Sequence, residues 1–216
     1  MQMGFDHHAN QGADTLAGGI GPTGLNQGDE DITAGAGNVT LTGGTGNDTL
    51  TGSNQGDDSL DGGQGNDSIV AGTGNDTLDG GDGNDTLTGG SGQDSLNGGN
   101  GDDDIVAGSG NSTLNGGSGN DTLVSGTGSD TLTGGTGHDQ FVVSGHSTHD
   151  TITDFMAMGA GSDVLNLHAE HFRNFHQVLS HMNQQGNNVV LNLGHNDTVI
   201  LDNVHMHSLS AHDFIL

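Results

Sequence analysis

The chain has 216 residues, but only 28% of them are hydrophobic and 3% aromatic, with no Trp or Tyr, so it lacks the material of an ordinary globular core. Its net charge of −27 comes from 28 acidic residues against one base, Arg173. That sign excludes nucleic acid and anionic membrane as main partners, because both need Lys and Arg clusters, and it would leave the chain disordered unless a cation neutralised it. With no Cys, disulfides, thiolate metal sites and thiol catalysis are also excluded.

Residues Met1 to Asn10 hold Asp6, His7 and His8 and no apolar run, which predicts neither a cleavable signal peptide nor a membrane span. Over residues 1–42 a repeat is present but worn. Gly12-Ala13-Asp14-Thr15-Leu16 fits it, Thr23 stands where an acid is wanted, and Glu30 and Val39 fill the same slot before Ile32 and Leu41. Worn outer units suit the cap of a solenoid, whose end coil has one neighbour only.

From Gly43 to Val143 one nonapeptide recurs, Gly-Gly-x-Gly-x-Asp-x-Leu/Ile-x, first cleanly as Gly43 to Thr51. Small residues with an acceptor at slot six make a turn. The branched aliphatic at slot eight, flanked by Thr, Ser or Val, makes a short strand. Slot eight reads Leu50, Leu60, Ile69, Leu78, Leu87, Leu96, Ile105, Leu114, Leu123, Leu132 and Phe141. One aliphatic per unit is thin cover, so two rows of strands must bury it between them. That predicts an all-β fold, a flattened right-handed coil with two nonapeptides per turn. One extra residue, in Gly52-Ser53-Asn54-Gln55-Gly56, is expected to form a surface bulge.

After Val143 the repeat stops. Apolar runs at 150–155, 164–167, 189–193 and 198–201 predict strands. Phe172, Phe175, Leu179 and Met182 recur at helical spacing and predict one amphipathic helix over 169–182. Residues 144–216 are thus expected to form a β-rich capping subdomain with one helix.

Eighteen residues per turn stack the slot-six residues in two columns. The first holds Asp48, Asp67, Asp85, Asp103, Asp121 and Asp139, and the second Asp58, Asp76, Asp94, Ser112 and Asp130. Bare carboxylates stacked at about 4.8 Å would repel. A hard divalent ion between neighbours reverses that repulsion, and calcium, which takes six to eight oxygens, fits better than magnesium with its tight octahedron and retained waters. Adjacent acids give about seven intact pairs, and about seven such ions would reduce the charge to roughly −13. Ser112 interrupts the second column, with one neutral oxygen in place of a carboxylate. A disordered linker explains none of this, since linkers do not keep an aliphatic two places after the acid in unit after unit.

The array resembles the RTX, or hemolysin-type calcium-binding, family, whose fold is a parallel β-roll. The resemblance implies that backbone carbonyls complete each site with the aspartates. At slot two these are Gly44, Gly63, Gly72, Gly81, Gly90, Gly99, Gly117, Gly126 and Gly135; at slot four they are Gly46, Gly65, Gly74, Gly83, Gly92, Gly101, Gly119, Gly128 and Gly137. The tail, from Asp150 to Phe155, from Ser162 to Leu167 and at the closing Asp213-Phe214-Ile215-Leu216, resembles the C-terminal region of serralysin-like type I secreted proteins. That likeness implies uncleaved export and the type I secretion machinery as a partner, although the last four residues would equally suit a final strand.

Catalytic motifs are missing. His168-Ala169-Glu170-His171 has the wrong order for a zinc protease helix, and no Gly-x-Ser-x-Gly elbow occurs. The dinucleotide-like Gly19 to Gly24 lacks its strand and helix, and Asn-Asp-Thr triplets spell glycosylation sequons only through the repeat. Eight His between His168 and His212 could bind a transition metal, but no tight triad appears and surface polarity explains them more simply. The expectation is a secreted, non-catalytic calcium-binding module with possible self-association or a place in a cell-surface matrix. Two alternatives are an ice-binding or adhesive protein on the same scaffold, for which the slot-three and slot-five rows are irregular, and the C-terminal piece of a larger enzyme.

Overall fold

The computed structural model describes residues 15–17, 26–143, 149–159 and 161–216. The worn units around Asp14 and from 18 to 25 lie outside the described residues.

Each nonapeptide contributes one strand, and successive strands alternate between two sheets. Asp31–Thr33, Thr49–Thr51, Ser68–Thr73, Thr86–Ser91, Asp104–Ser109, Thr122–Val124 and Gln140–Val142 lie in a sheet of ten strands. Thr40–Thr45, Ser59–Gln64, Thr77–Asp82, Ser95–Asn100, Thr113–Ser118 and Thr131–Thr136 lie in one of eleven. Pairing within the array is parallel. Its register puts Leu60 beside Leu78 and Ile105 beside Leu123, so the repeat of the coil is eighteen residues, as expected.

Alternation along the strand explains what is buried. In Ser59–Gln64 the slot-eight Leu60 and the slot-one Gly62 point inward, while Ser59, Asp61 and Gln64 face solvent. A large residue and an absent side chain therefore alternate along the inner face, and the slot-eight series from Leu50 to Phe141 is buried throughout as one continuous core. A fully buried Leu is worth about 1.5–3 kcal/mol, so a single row on each sheet can hold the coil only because it is unbroken.

The additional residue behaves as anticipated. Leu41 pairs with Leu60 and Leu50 with Ile69, each nineteen residues apart, so the strands stay in register around it. The strand Thr49–Thr51 stops short, and the buried Ser53 hydroxyl donates to the carbonyl of Gln55 at 2.8 Å.

The tail extends both sheets. Val164–Asn166 and Phe214–Ile215 add to the ten-strand sheet. His149–Ile152 and Asp197–Leu201 add to the other in parallel, followed by the antiparallel Asn188–Gly194 and Met182–Gln185. Larger side chains close the core here. Phe155 packs on Phe141 with ring centroids 6.0 Å apart, and Phe175 on Phe214 at 5.5 Å.

The helix is shorter than its periodicity suggested. A 3-10 turn at His168–Glu170 ends on His171, whose φ of 59° breaks the run, and the helix itself is Phe175–Ser180. Asn174 caps it by accepting the N–H of Gln177 at 3.0 Å. Phe172 is buried before the helix begins and Met182 within the strand that follows it, so the apolar spacing marked packing positions and not one helical face.

Candidate metal centre

The slot-six residues stand in the two expected columns, and the backbone binds each to the next. The N–H of Asp48 donates to Oδ1 of Asp67 at 2.7 Å, that of Asp67 to Asp85 at 2.7 Å, Asp85 to Asp103 at 2.8 Å, Asp103 to Asp121 at 2.9 Å and Asp121 to Asp139 at 3.0 Å. In the second column Asp58 donates to Asp76 at 2.7 Å and Asp76 to Asp94 at 2.9 Å. A second ladder runs through slot five in the opposite sense. There the N–H of Asn66 donates back to Asn47 Oδ1, and that of Asn84 back to Asn66, both at 2.8 Å. The slot-five side-chain oxygens of Asn47 and Asn66 are thus engaged within the coil.

Only one oxygen of each aspartate is used in this way. Oδ2 of Asp48, Asp67, Asp76, Asp85, Asp94, Asp103, Asp121, Asp130 and Asp139 is buried with no hydrogen-bond partner. Leaving a buried carboxylate oxygen unsatisfied is costly, so nine of them in register call for a ligand. Asp58 differs, because its Oδ2 accepts the N–H of Ser53, at slot two of the lengthened turn, at 2.6 Å.

The rest of the turn supplies oxygen, not nitrogen. The carbonyls of Gly44 and Gly46 face Gly63 and Gly65 one coil on, and those of Gly63 and Gly65 face Gly81 and Gly83. The same relation joins Gly81 and Gly83 to Gly99 and Gly101, these to Gly117 and Gly119, and these to Gly135 and Gly137. At the other edge it joins Gly72 and Gly74 to Gly90 and Gly92, and Gly108 and Gly110 to Gly126 and Gly128. Gly65, at φ +127°, shows why slot four is glycine: a Cβ there would run into the Gly46 carbonyl. Slot one is small for a similar reason, since a Cβ on Gly62 would meet Asp67 Oδ2.

Among the described residues no three His, Cys, Asp or Glu side chains converge on a common point. A site built from carboxylates and backbone carbonyls suits a hard cation, which takes oxygen ligands in flexible geometry. The RTX calcium-binding nonapeptide repeat matches the chain in four copies, at 26–57, 53–87, 79–114 and 115–145, together more than half of its length. The chain belongs to the RTX repeat family. Its repeats make it a calcium-binding β-roll. Among solved structures, the extracellular lipase LipA of Serratia marcescens is similar at 20% identity with a TM-score of 0.36, over 90% of this chain and 41% of the lipase. The RTX chain thus spans under half the length of that relative, and no curated protein matches it in sequence.

Both columns run beyond the clean repeats, upstream into the worn slots and downstream into the tail. Glu30 heads the first by donating to Asp48 at 2.8 Å, and Asp163 ends it by accepting from Asp139 at 3.1 Å. Val39 heads the second, and Asp150 ends it by accepting from Asp130 at 3.0 Å. Asp150 and Asp163 escape the eye because they lie 20 and 24 residues beyond their partners. The signal that could find them is the triplet Asp-x-aliphatic, in Asp150-Thr151-Ile152 and Asp163-Val164-Leu165. Asp163 is already satisfied, since its Oδ2 accepts the N–H of Met156 at 2.8 Å.

Without a cation, Asp67, Asp76, Asp103, Asp121 and Asp130 resist ionisation. Burial, opposed by the backbone hydrogen bond and reinforced by stacked neighbours, pushes Asp103 up to about 7 and Asp67 and Asp121 to about 6. Burial raises Asp76 and Asp130 to about 6 as well. A carboxyl raised in the fold and ordinary in the unfolded chain stabilises the ion-free fold fully below about pH 4, and that stability is lost as pH rises through 6 to 7. In chelator, then, the far-ultraviolet circular dichroism should show β structure growing as pH falls from about 7.5 to about 4.5, with protons taking the place of cations. An ion-free spectrum that does not change across this range would contradict the burial of the columns.

Ser112 sits where the column requires. Its hydroxyl accepts the N–H of Asp94 at 3.1 Å, and its own N–H donates to Asp130 at 2.7 Å. The serine keeps the ladder and omits the second oxygen. Ser112→Asp should therefore lower the calcium midpoint of folding by about two- to tenfold, or roughly 0.4–1.4 kcal/mol. Slot one of that unit is Ala107, and Asp76 is already accommodated beside the equivalent Ala71. Asp85→Asn, which retains an acceptor for Asp67 and loses the charge, should raise the midpoint. A calcium titration followed by circular dichroism reads both, and a higher midpoint for Ser112→Asp would show that no ion reaches this slot.

Proposed function

We propose that this RTX chain is an exported, non-catalytic binding or structural module that stays unfolded where calcium is scarce and folds when external calcium fills its columns. The observation that carries the reading is the set of nine buried, unpartnered Oδ2 atoms in register. The ions would be held between successive coils by these aspartates and the slot-two and slot-four glycine carbonyls, about seven of them by the count of intact pairs. When bound, calcium supplies the positive charge that a chain of −27 cannot draw from its own side chains. Because binding requires the stacked coils and the unfolded chain has none, binding free energy is folding free energy.

Export before folding is supported by the C-terminus. Phe214 is buried against Phe175, and Asp213 accepts the N–H of Ser210 at 2.6 Å in a capping box. The Asp213 and Phe214 half of an address made of Asp213 to Leu216 is therefore presented only while the chain is unfolded. Among the described residues no helix is long and apolar enough to cross a membrane.

The purified chain should be expanded in chelator at neutral pH and gain β structure cooperatively with calcium, while magnesium at equal concentration substitutes poorly. A compact β fold in excess chelator at pH 7.5 would overturn the folding mechanism. Deleting Asp213 to Leu216 should abolish passage through a type I transporter and leave calcium-induced β structure in the array. Equal secretion of the truncated chain would place the address elsewhere.

A further inference from the structure

The two sheets are made from the same nonapeptide on the same backbone, yet their outer faces differ. On the eleven-strand sheet the slot-nine row of the array reads Thr42, Asp61, Asp79, Asn97, Asn115 and Thr133. It is polar and laced together, with the Asn97 amide donating to Asp79 and the Asn115 amide to Asn97, at 2.8 and 2.7 Å. The same slot on the ten-strand sheet reads Thr33, Thr51, Val70, Thr88, Val106, Val124 and Val142, and continues through Asn166 to Ile215. No carboxylate enters that row. Among the outward strand residues of this sheet only Asp31 and Asp104 are charged, both at slot seven. Strand propensity alone does not account for the contrast, because it acts equally on both sheets. Among the described residues four large hydrophobics are exposed, and two of them, Val70 at 41% and Ile215 at 40%, stand in this one row.

We propose that the outer face of the ten-strand sheet is a self-association surface, on which a second copy of this chain packs sheet to sheet along the Val and Thr row. The proposal rests on the calcium-folded roll described above, since the row exists only when the coils are stacked. Charge selects the occupant. Two copies of so acidic a chain repel through their turns and through the Asp61, Asp79 and Asp82 face, and this is the face on which they can meet with little repulsion. Nine rungs at about 4.8 Å give a stripe of about 38 Å. Only Ser68–Thr73, Thr86–Ser91 and Asp104–Ser109 among these rungs are six residues long, so the stripe averages about 13 Å in width. Two such faces cover about 1,000 Å² in total, the lower bound for a specific interface. A two-fold arrangement brings the same row from both copies together, as closed dimers do.

The test is sedimentation equilibrium on the full calcium-loaded chain, from low micromolar to about 0.1 mM, with circular dichroism on the same samples. The wild type should be dimeric. Val106→Asp with Val124→Asp should raise the dissociation constant by at least about 100-fold, the scale of buried like charges facing each other. Slot nine already carries Asp61 and Asp79 in the other sheet, so these variants should still fold with calcium, and Val70→Asp repeats the experiment at the most exposed position. As a control, Asn97→Asp with Asn115→Asp adds the same charge to the opposite face and should leave the dimer intact. A folded wild type that remains monomeric, valine variants that dimerise as it does, or a control that dissociates equally would overturn the proposal. A folded monomer that instead floats with neutral lipid vesicles would overturn it too, giving the face to lipid. A wild type that gains no β signal with calcium would overturn the folding reading, and the proposal with it.

Discussion

The structure depends on a carboxylate held half-satisfied in a buried place. Each column aspartate accepts one N–H from the coil before it, which fixes its position, and nine of them present a second oxygen that the protein leaves without a partner. The hydrogen bond reaches from one coil to the next but brings no positive charge, whereas the second oxygen is a cost repeated along both columns. A cation turns that cost into the main attractive interaction between coils. On the reading proposed above, the fold is conditional on calcium from outside the chain.

Two ladders with opposite polarity make this arrangement stiff. Slot six links each coil to the one after it through a side-chain acceptor, and slot five links it to the one before. A coil cannot slide against its neighbour without breaking both. The glycines between them are constrained by backbone contact and not by propensity, since a side chain at slot four would strike a carbonyl of the adjacent coil. Turn residues that look like low-complexity filler are thus the part of the repeat with least freedom to change.

The core is correspondingly slight. One aliphatic per nonapeptide, paired with a glycine, alanine or serine at slot one, gives a thin apolar layer that is continuous only along the axis. At the tail this economy ends. Phenylalanines at 141, 155, 175 and 214 replace leucine, and the added strands seal an end that would otherwise expose the row. The outer faces show a further division of labour, with amide and carboxylate ladders on one sheet and a β-branched row on the other.

The period of nine, with Leu or Ile two places after Asp, determined by itself the parallel coil, the two columns and the oxygen chemistry of the site, because a strict repeat leaves one way to bury the aliphatics and one place for the acids. Even the defect at Ser112 was legible. What the repeat could not convey lies where the period fails. Asp150 and Asp163 join the columns across longer loops, Ser53 takes up the second oxygen of Asp58, and the helical spacing around Phe172 marks packing positions on separate elements. Only the tertiary structure decided these, since each depends on where a loop of irregular length returns to the coil.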